Sequence, residues 1–177
     1  ASQLAAAALA AGSPRRILDL CGAPGGKAFT LAQMTGGQVI SCDLYPQRTA
    51  LIAEGARRLG LEQQVSARVQ DALAWEESLG QFDGVLCDVP CSGLGVIRRK
   101  PEIKYKPREE LAALSEIQLD ILTNAGRYLA PGGVLLYSTC TLLPEENRRV
   151  VEAFLAGEPQ FRLLEERTLL GGAGQED

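Results

Sequence analysis

Short apolar runs alternate along this chain with longer segments whose apolar positions recur at helical spacing. The runs predict strands at Arg16–Cys21, Gln38–Cys42, Val65–Val69, Asp83–Cys87 and Val134–Ser138, with a possible sixth at Phe161–Leu164. The periodic segments predict helices over 2–11, from the glycines after Cys21 through Met34, over Gln47–Leu59, briefly over Ala72–Leu79, and over Glu109–Leu129. A last helix runs from Pro144, suited to a first helical position, to about Leu155. Gly60 sits where a glycine ends a helix, and Pro131-Gly132-Gly133 reads as the stop of the long one. Uniformly apolar strands alternating with helices predict an α/β fold, a mostly parallel sheet covered on both faces. One segment breaks the rhythm. The loop from Asp88 to about Pro107 is about 20 residues long, and loops beyond ~12–15 residues in compact domains are usually functional or disordered. The tail Gly171–Asp177 reads as disordered or cut.

Composition narrows the chemistry. A length of 177 residues, 46% of them hydrophobic, supports one domain with a real core. No apolar run reaches a membrane span, and the alanine-rich start lacks a basic leader and cleavage site. The expectation is a cytoplasmic protein, a monomer without a membrane partner. Cysteines 21, 42, 87, 91 and 140 form no CxxC pair, which argues against a disulfide framework. The chain has no histidine, so a His-ligated zinc site and any His-based triad are excluded, and no metal is expected. The net charge of −4 argues against a surface built throughout for nucleic acid. The positive charge is concentrated, however, in the long loop and just past it. Arg98, Arg99, Lys100, Lys104, Lys106 and Arg108 are interleaved with Ile103 and Tyr105 and opposed within the segment only by Glu102. A solvated face is the ordinary fate of such a run. A basic loop carrying an aromatic beside a reactive site can also bind phosphates and stack a base.

Three features point to that reactive site. First, a strand runs through Leu18-Asp19-Leu20 into Cys21-Gly22-Ala23-Pro24-Gly25-Gly26-Lys27 at a helix start, the pattern of a nucleotide cradle, though neither GxGxxG nor a Walker loop. Second, Asp43, Asp71 and Asp88 end three successive strands on one sheet edge, where acidic groups hold ribose hydroxyls or a base. Arg48, one turn into the helix after Asp43, can support the same ligand. Third, Cys91 and Cys140 lie past strand ends on the ligand side, whereas Cys42 and Cys87 fall inside strands and read as core residues. Two thiols beside an Asp suggest covalent catalysis with a nucleophile and a helper.

Four stretches together resemble the RNA cytosine-5 methyltransferases of the Nop/Sun family, closest to its bacterial Sun-type (Fmu-type) branch. They are LDLCGAPGGK at 18–27, DLYPQR at 43–48, DVPCSGLGVIRRKPEIKY at 88–105 and YSTCTLLPEEN at 137–147. The resemblance covers about Ser2 to Ala156. It implies a Rossmann-like methyltransferase fold using S-adenosylmethionine, and 16S rRNA as partner. Residues Cys21 to Lys27 would line the cofactor site, with Asp43 and Arg48 at the ribose and Asp71 at the adenine. Asp88 would serve both cofactor and target cytosine. Cys140 would be the nucleophile and Cys91 would assist product release. Arg98, Arg99, Lys100, Lys104 and Tyr105 would bind RNA. Gly22, Ala28 and Val89 depart from residues common in the family, and only Val89 is expected to narrow the pocket. The resemblance further implies a truncated catalytic core, one domain over 1–177, without the family's N-terminal RNA-binding domain and the last strand or strands of its sheet. Three competing readings remain: a DNA cytosine-5 methyltransferase with Cys91 as nucleophile, a non-catalytic RNA-binding module, and a nucleotide-dependent oxidoreductase that would lack GxGxxG.

Overall fold

The computed structural model describes residues 2–98, 101–105 and 108–168. Five strands form one sheet: β1 (Arg16–Asp19), β2 (Gln38–Asp43), β3 (Val65–Val69), β4 (Phe82–Asp88) and β5 (Leu129–Ser138). Their spatial order is β3-β2-β1-β4-β5, and every neighbouring pair is parallel. The order reverses between β1 and β4, so the crevice beyond their carboxyl ends is the natural ligand site of such a sheet.

Residues alternate across the strands as the pleat requires. Ile17, Val39, Val65 and Leu86 face α1 (Ser2–Ala10), α2 (Gly26–Thr35) and α3 (Pro46–Arg58). Leu18, Val85 and Cys87 face the other way, onto Ile121, Ala125 and Tyr128. Ile121 and Ala125 belong to α4 (Arg108–Arg127) and Tyr128 follows it directly; α4 also packs through Leu122 against Val150 and Phe154 of α5 (Arg148–Gly157). Helices therefore cover both faces, as the alternation predicts. Among the described residues no helix is long and apolar enough to cross a membrane.

Four local expectations are corrected. The helix expected at Ala72–Leu79 shrinks to a 3-10 turn at Glu77–Leu79. The carbonyls of Ala72 and Ala74 accept from Asn124 Nδ2 on α4, which competes with helix formation. Pro131-Gly132-Gly133 does not separate helix from strand but lies inside β5, where the register with β4 shifts between Phe82 and Gly84. Gly132 is left-handed at φ 81, and a Cβ on Gly133 would stand 2.9 Å from the Asp83 carbonyl, so the bulge needs both glycines. The last helix opens with a separate 3-10 turn, Pro144–Glu146, because the side chain of Asn147 is committed to Thr139, Thr141 and Leu143. Finally, Phe161–Leu164 is not a strand. Phe161 packs on Phe154 with ring centroids 4.9 Å apart, while Leu163 and Leu164 are exposed. The long loop after β4 carries two 3-10 turns, Leu94–Val96 and Pro101–Tyr105.

Candidate active site

The turn between β1 and α2 encloses a cavity of about 200 Å³ lined by Asp19, Cys21, Gly22, Ala23, Pro24, Gly26, Lys27 and Asp88. Two glycines make the turn possible. A Cβ on Gly22 would sit 1.9 Å from Ser41 Oγ and 2.6 Å from Asp19 Oδ2. Gly25 is left-handed at φ 105, and a Cβ there would strike the Phe29 ring at 2.3 Å. Gly25 also starts α2 without a side-chain cap, which leaves early helix amides available to a ligand.

Asp19 lies at the bottom of this cavity and is fully buried. Ser41 Oγ donates to its Oδ2 at 3.2 Å, and its Oδ1 has no hydrogen-bond partner among the described residues. Its pKa is raised to about 7, first by burial and then by the charge of Asp88, with Lys27 and Ser41 pulling the other way. A buried acceptor left open at a cavity wall fits a ligand that brings its own donor.

Asp88 ends β4 and links this cavity to the cysteines. Lys27 Nζ donates to Asp88 Oδ2, and Ser138 Oγ donates to Oδ1 at 2.6 Å. Asp43 ends β2 on the same edge. Its Oδ2 lies 3.3 Å from Arg48, and Arg48 in turn donates to the Ala23 carbonyl at 3.3 Å. Asp43 and Arg48 therefore brace the turn from outside the cavity lining. Asp71 sits at the end of β3, but its carboxylate folds back to accept the Leu73 N–H at 2.9 Å. Burial pushes the Cys21 thiol up, so its contribution to the lining is steric rather than reactive.

Cys91 and Cys140 converge from loops 49 residues apart, with sulfurs 3.0 Å from each other. Cys140 is exposed and Cys91 partly buried, and both are free thiols. The Cys140 thiol is lowered to about 7. Hydrogen bonding from Cys91 is the main cause; its own backbone N–H and Lys27 add to it, against desolvation and the charge of Asp88. Cys91 is pushed up by its hydrogen bond with Cys140 and by burial, which outweigh the Cys140 N–H aimed at its sulfur from 3.2 Å. The two thiols are thus held at opposite ends of one proton equilibrium, with Cys140 the more ionised.

Several residues that build the site carry no prior assignment. Asp19 is signalled in the sequence as a charge inside an apolar strand. Gln118 is signalled by lying on the apolar stripe Gln118, Ile121, Leu122, Ala125 of α4. Ser41, Ser138 and Glu146 leave no comparable trace. Of the residues expected to bind RNA, Arg98 is exposed beside the Leu94–Val96 turn. Lys104 and Tyr105 fall in the Pro101–Tyr105 turn, and Arg99 and Lys100 lie outside the described residues.

The family model described as 16S rRNA methyltransferase RsmB/F matches residues 6–175. A curated relative from Bacillus subtilis, "Probable ribosomal RNA small subunit methyltransferase B", is 45% identical over 165 residues, 90% of this chain and 37% of the relative. The chain therefore spans well under half the length of that relative. The crystal structure of PH0851 matches with a TM-score of 0.88 at 32% identity, over 95% of this chain and 39% of that one. NSun6 from Pyrococcus horikoshii, solved with SFG, matches with a TM-score of 0.78 at 31% identity, over 88% of this chain and 40% of that one.

Proposed function

The chain belongs to the 16S rRNA methyltransferase RsmB/F family, and from that premise we propose that it methylates C5 of a cytosine in small-subunit rRNA through a covalent bond between Cys140 and C6. The observation that carries this reading is the thiol pair 3.0 Å apart beside Asp88, next to the glycine-lined cavity.

The cavity fits S-adenosylmethionine. Gly22 and Gly25 leave the space a ligand needs, α2 offers uncapped amides to a carboxylate, and Asp19 Oδ1 lacks a donor that an amino group would supply. NSun6, a structural relative, was solved with SFG, an analogue of that cofactor. When bound, S-adenosylmethionine supplies an electrophilic methyl group.

The chemistry assigned to the chain's own residues then follows. C5 of cytosine is a poor nucleophile. Addition of the Cys140 thiolate to C6 pushes electron density onto C5 and makes it enamine-like. With a pKa of about 7, roughly half of Cys140 is thiolate at neutral pH, against a few per cent for an ordinary thiol near ~8.5. Asp88 offers its carboxylate to the exocyclic amino group of the base, while Lys27 and Ser138 fix that carboxylate in place. After C5 is alkylated its proton passes to water, the C5–C6 double bond re-forms, and the bond from C6 to Cys140 Sγ breaks. Cys91 donates its S–H to the departing sulfur. The base must be unpaired or flipped out to reach both groups. Arg98 and the basic segment that follows would hold the RNA backbone.

The test is transfer of labelled methyl to small-subunit rRNA by the full-length protein, with the modified atom identified by mass spectrometry. The proposal requires 5-methylcytosine. Methyl found on another base, or on the ribose, rules it out.

A further inference from the structure

We infer that Glu146 is a positioning residue that holds the Cys91 loop against the Cys140 loop, and that the contact between the two thiols depends on it. This rests on the thiol-pair reading above.

Glu146 is buried, with 1% of its surface exposed, and it makes no salt bridge among the described residues. Its Oε2 accepts the Ser92 N–H at 2.8 Å and Gln118 Nε2 at 2.9 Å. Ser92 directly follows Cys91, so the first bond fixes the peptide on which Cys91 hangs. Gln118 Nε2 also donates to the Pro90 carbonyl at 2.9 Å, on the other side of the same cysteine. Tyr137 closes the ring: its hydroxyl donates to the Glu146 carbonyl at 2.6 Å and stands 3.3 Å from Gln118 Oε1. One carboxylate and one amide therefore clamp both neighbours of Cys91 to β5, α4 and the turn before α5.

A second bridge ties the loops directly. Ser92 Oγ donates to Thr141 Oγ1 at 2.7 Å, and Thr141 directly follows Cys140. The Gly95 N–H reaches the Cys140 carbonyl at 3.0 Å. A buried carboxylate held by neutral donors costs free energy, and Glu146 Oε1 has no partner among the described residues to offset it. What the arrangement supplies is fixed geometry. Catalytic side chains must be held to about 0.5 Å by residues whose own positions are locked. Here the distance so held is the 3.0 Å between sulfurs, on which the lowering of Cys140 mainly depends.

The groups acting on Cys140 are Cys91 from the β4 loop, its own backbone N–H, Lys27 from α2 and Asp88 from the end of β4. Of these, only Cys91 is held by Glu146. Loss of Glu146 should therefore act on Cys140 through Cys91 alone.

The experiment is the pH profile of Cys140 alkylation by iodoacetamide in the full-length protein, followed by peptide mapping. It needs neither RNA nor S-adenosylmethionine, so a protein that transfers no methyl defeats the proposed function but still reports on Glu146. Glu146→Ala should move the midpoint up by about one unit, a roughly fivefold lower alkylation rate at pH 7. It should also lower kcat, leave KM for RNA in place, and let a covalent RNA adduct accumulate. Glu146→Gln retains an oxygen able to accept both hydrogens and should keep a midpoint close to that of the unaltered protein. If Glu146→Ala does not fold, Gln118→Leu removes one of the two donors and the Pro90 anchor, and its midpoint must rise by a smaller step. A folded Glu146→Ala, or failing that a folded Gln118→Leu, with an unchanged midpoint overturns the inference. So does a Glu146→Gln midpoint displaced as far as that of alanine.

Discussion

The cofactor turn and the thiol pair share one sheet edge but are assembled in different ways. The turn is local: Asp19 to Lys27 supply nearly the whole lining of the cavity, and only Asp88 comes from elsewhere. The thiol pair is long-range. Its two cysteines are 49 residues apart, and the contacts that join them come from their own neighbours Ser92 and Thr141 and from Gln118, Tyr137 and Glu146 on three further parts of the chain. The turn is made by removing side chains, since Gly22 and Gly25 leave no room for a Cβ. The thiol pair is made by adding a buried polar network. Binding can rest on a shape that local sequence dictates, whereas a nucleophile and its helper need a distance that only tertiary contacts can set.

The largest expected effect separates the two regions by function. Cys140→Ala should cut methyl transfer at least about 1,000-fold, as loss of a nucleophile does, while calorimetry shows S-adenosylmethionine still bound. Next comes the internal asymmetry of the thiol pair. The Cys140 pKa lies below its unperturbed 9, so its thiolate gains population as pH rises through about 7. Cys91→Ala removes the chief cause and should return the alkylation midpoint of Cys140 toward 9, a roughly 10- to 100-fold lower rate at pH 7. A midpoint that stays near 7 would show that Lys27 or the backbone carries the shift.

Asp19→Asn sharpens the other side. Replacing an open buried acceptor with an amide should weaken S-adenosylmethionine binding about 5- to 150-fold, the equivalent of ~1–3 kcal/mol, and leave Cys140 alkylation unchanged. The same variant gives a pH test. The folded pKa of Asp19, about 7, is above its unperturbed 3.8, so any stability linked to its neutral form is present below pH 3.8 and lost as pH rises through 7. Asp19→Asn should therefore gain more melting temperature relative to the unaltered protein at pH 8 than at pH 5. Gly22→Ala tests the turn by its packing. Its Cβ would displace Ser41 Oγ and Asp19 at a cost of ~1–3 kcal/mol, read as a drop in thermal stability, again without moving the thiol profile.

The same contrast explains what the amino-acid sequence discloses. The parallel sheet is legible because its strands are apolar throughout, and the cofactor turn because its glycines and Lys27 are consecutive. The placement of Cys91 and Cys140 at strand ends is legible too. The network between them is not, because Glu146 sits in an acidic stretch that reads as surface, and nothing local says that Ser92 and Gln118 will meet it. Asp71 is ambiguous in the sequence for another reason: a strand-end Asp reads equally as a ligand contact or a turn former, and its Oδ1 accepts the backbone N–H of Leu73 in its own turn. The expected strand at Phe161–Leu164 is apolar enough to pair, but Phe161 finds Phe154 on α5 instead.

The division of labour between the two cysteines is tested most directly by trapping the covalent protein–RNA adduct in the full-length protein and mapping the modified peptide. Cys91→Ala should accumulate an adduct whose RNA is attached to Cys140, because attack proceeds while release is slowed. Cys140→Ala should yield none. An adduct carried by Cys91, or one that persists in Cys140→Ala, would contradict the assignment of Cys140 as the attacking sulfur.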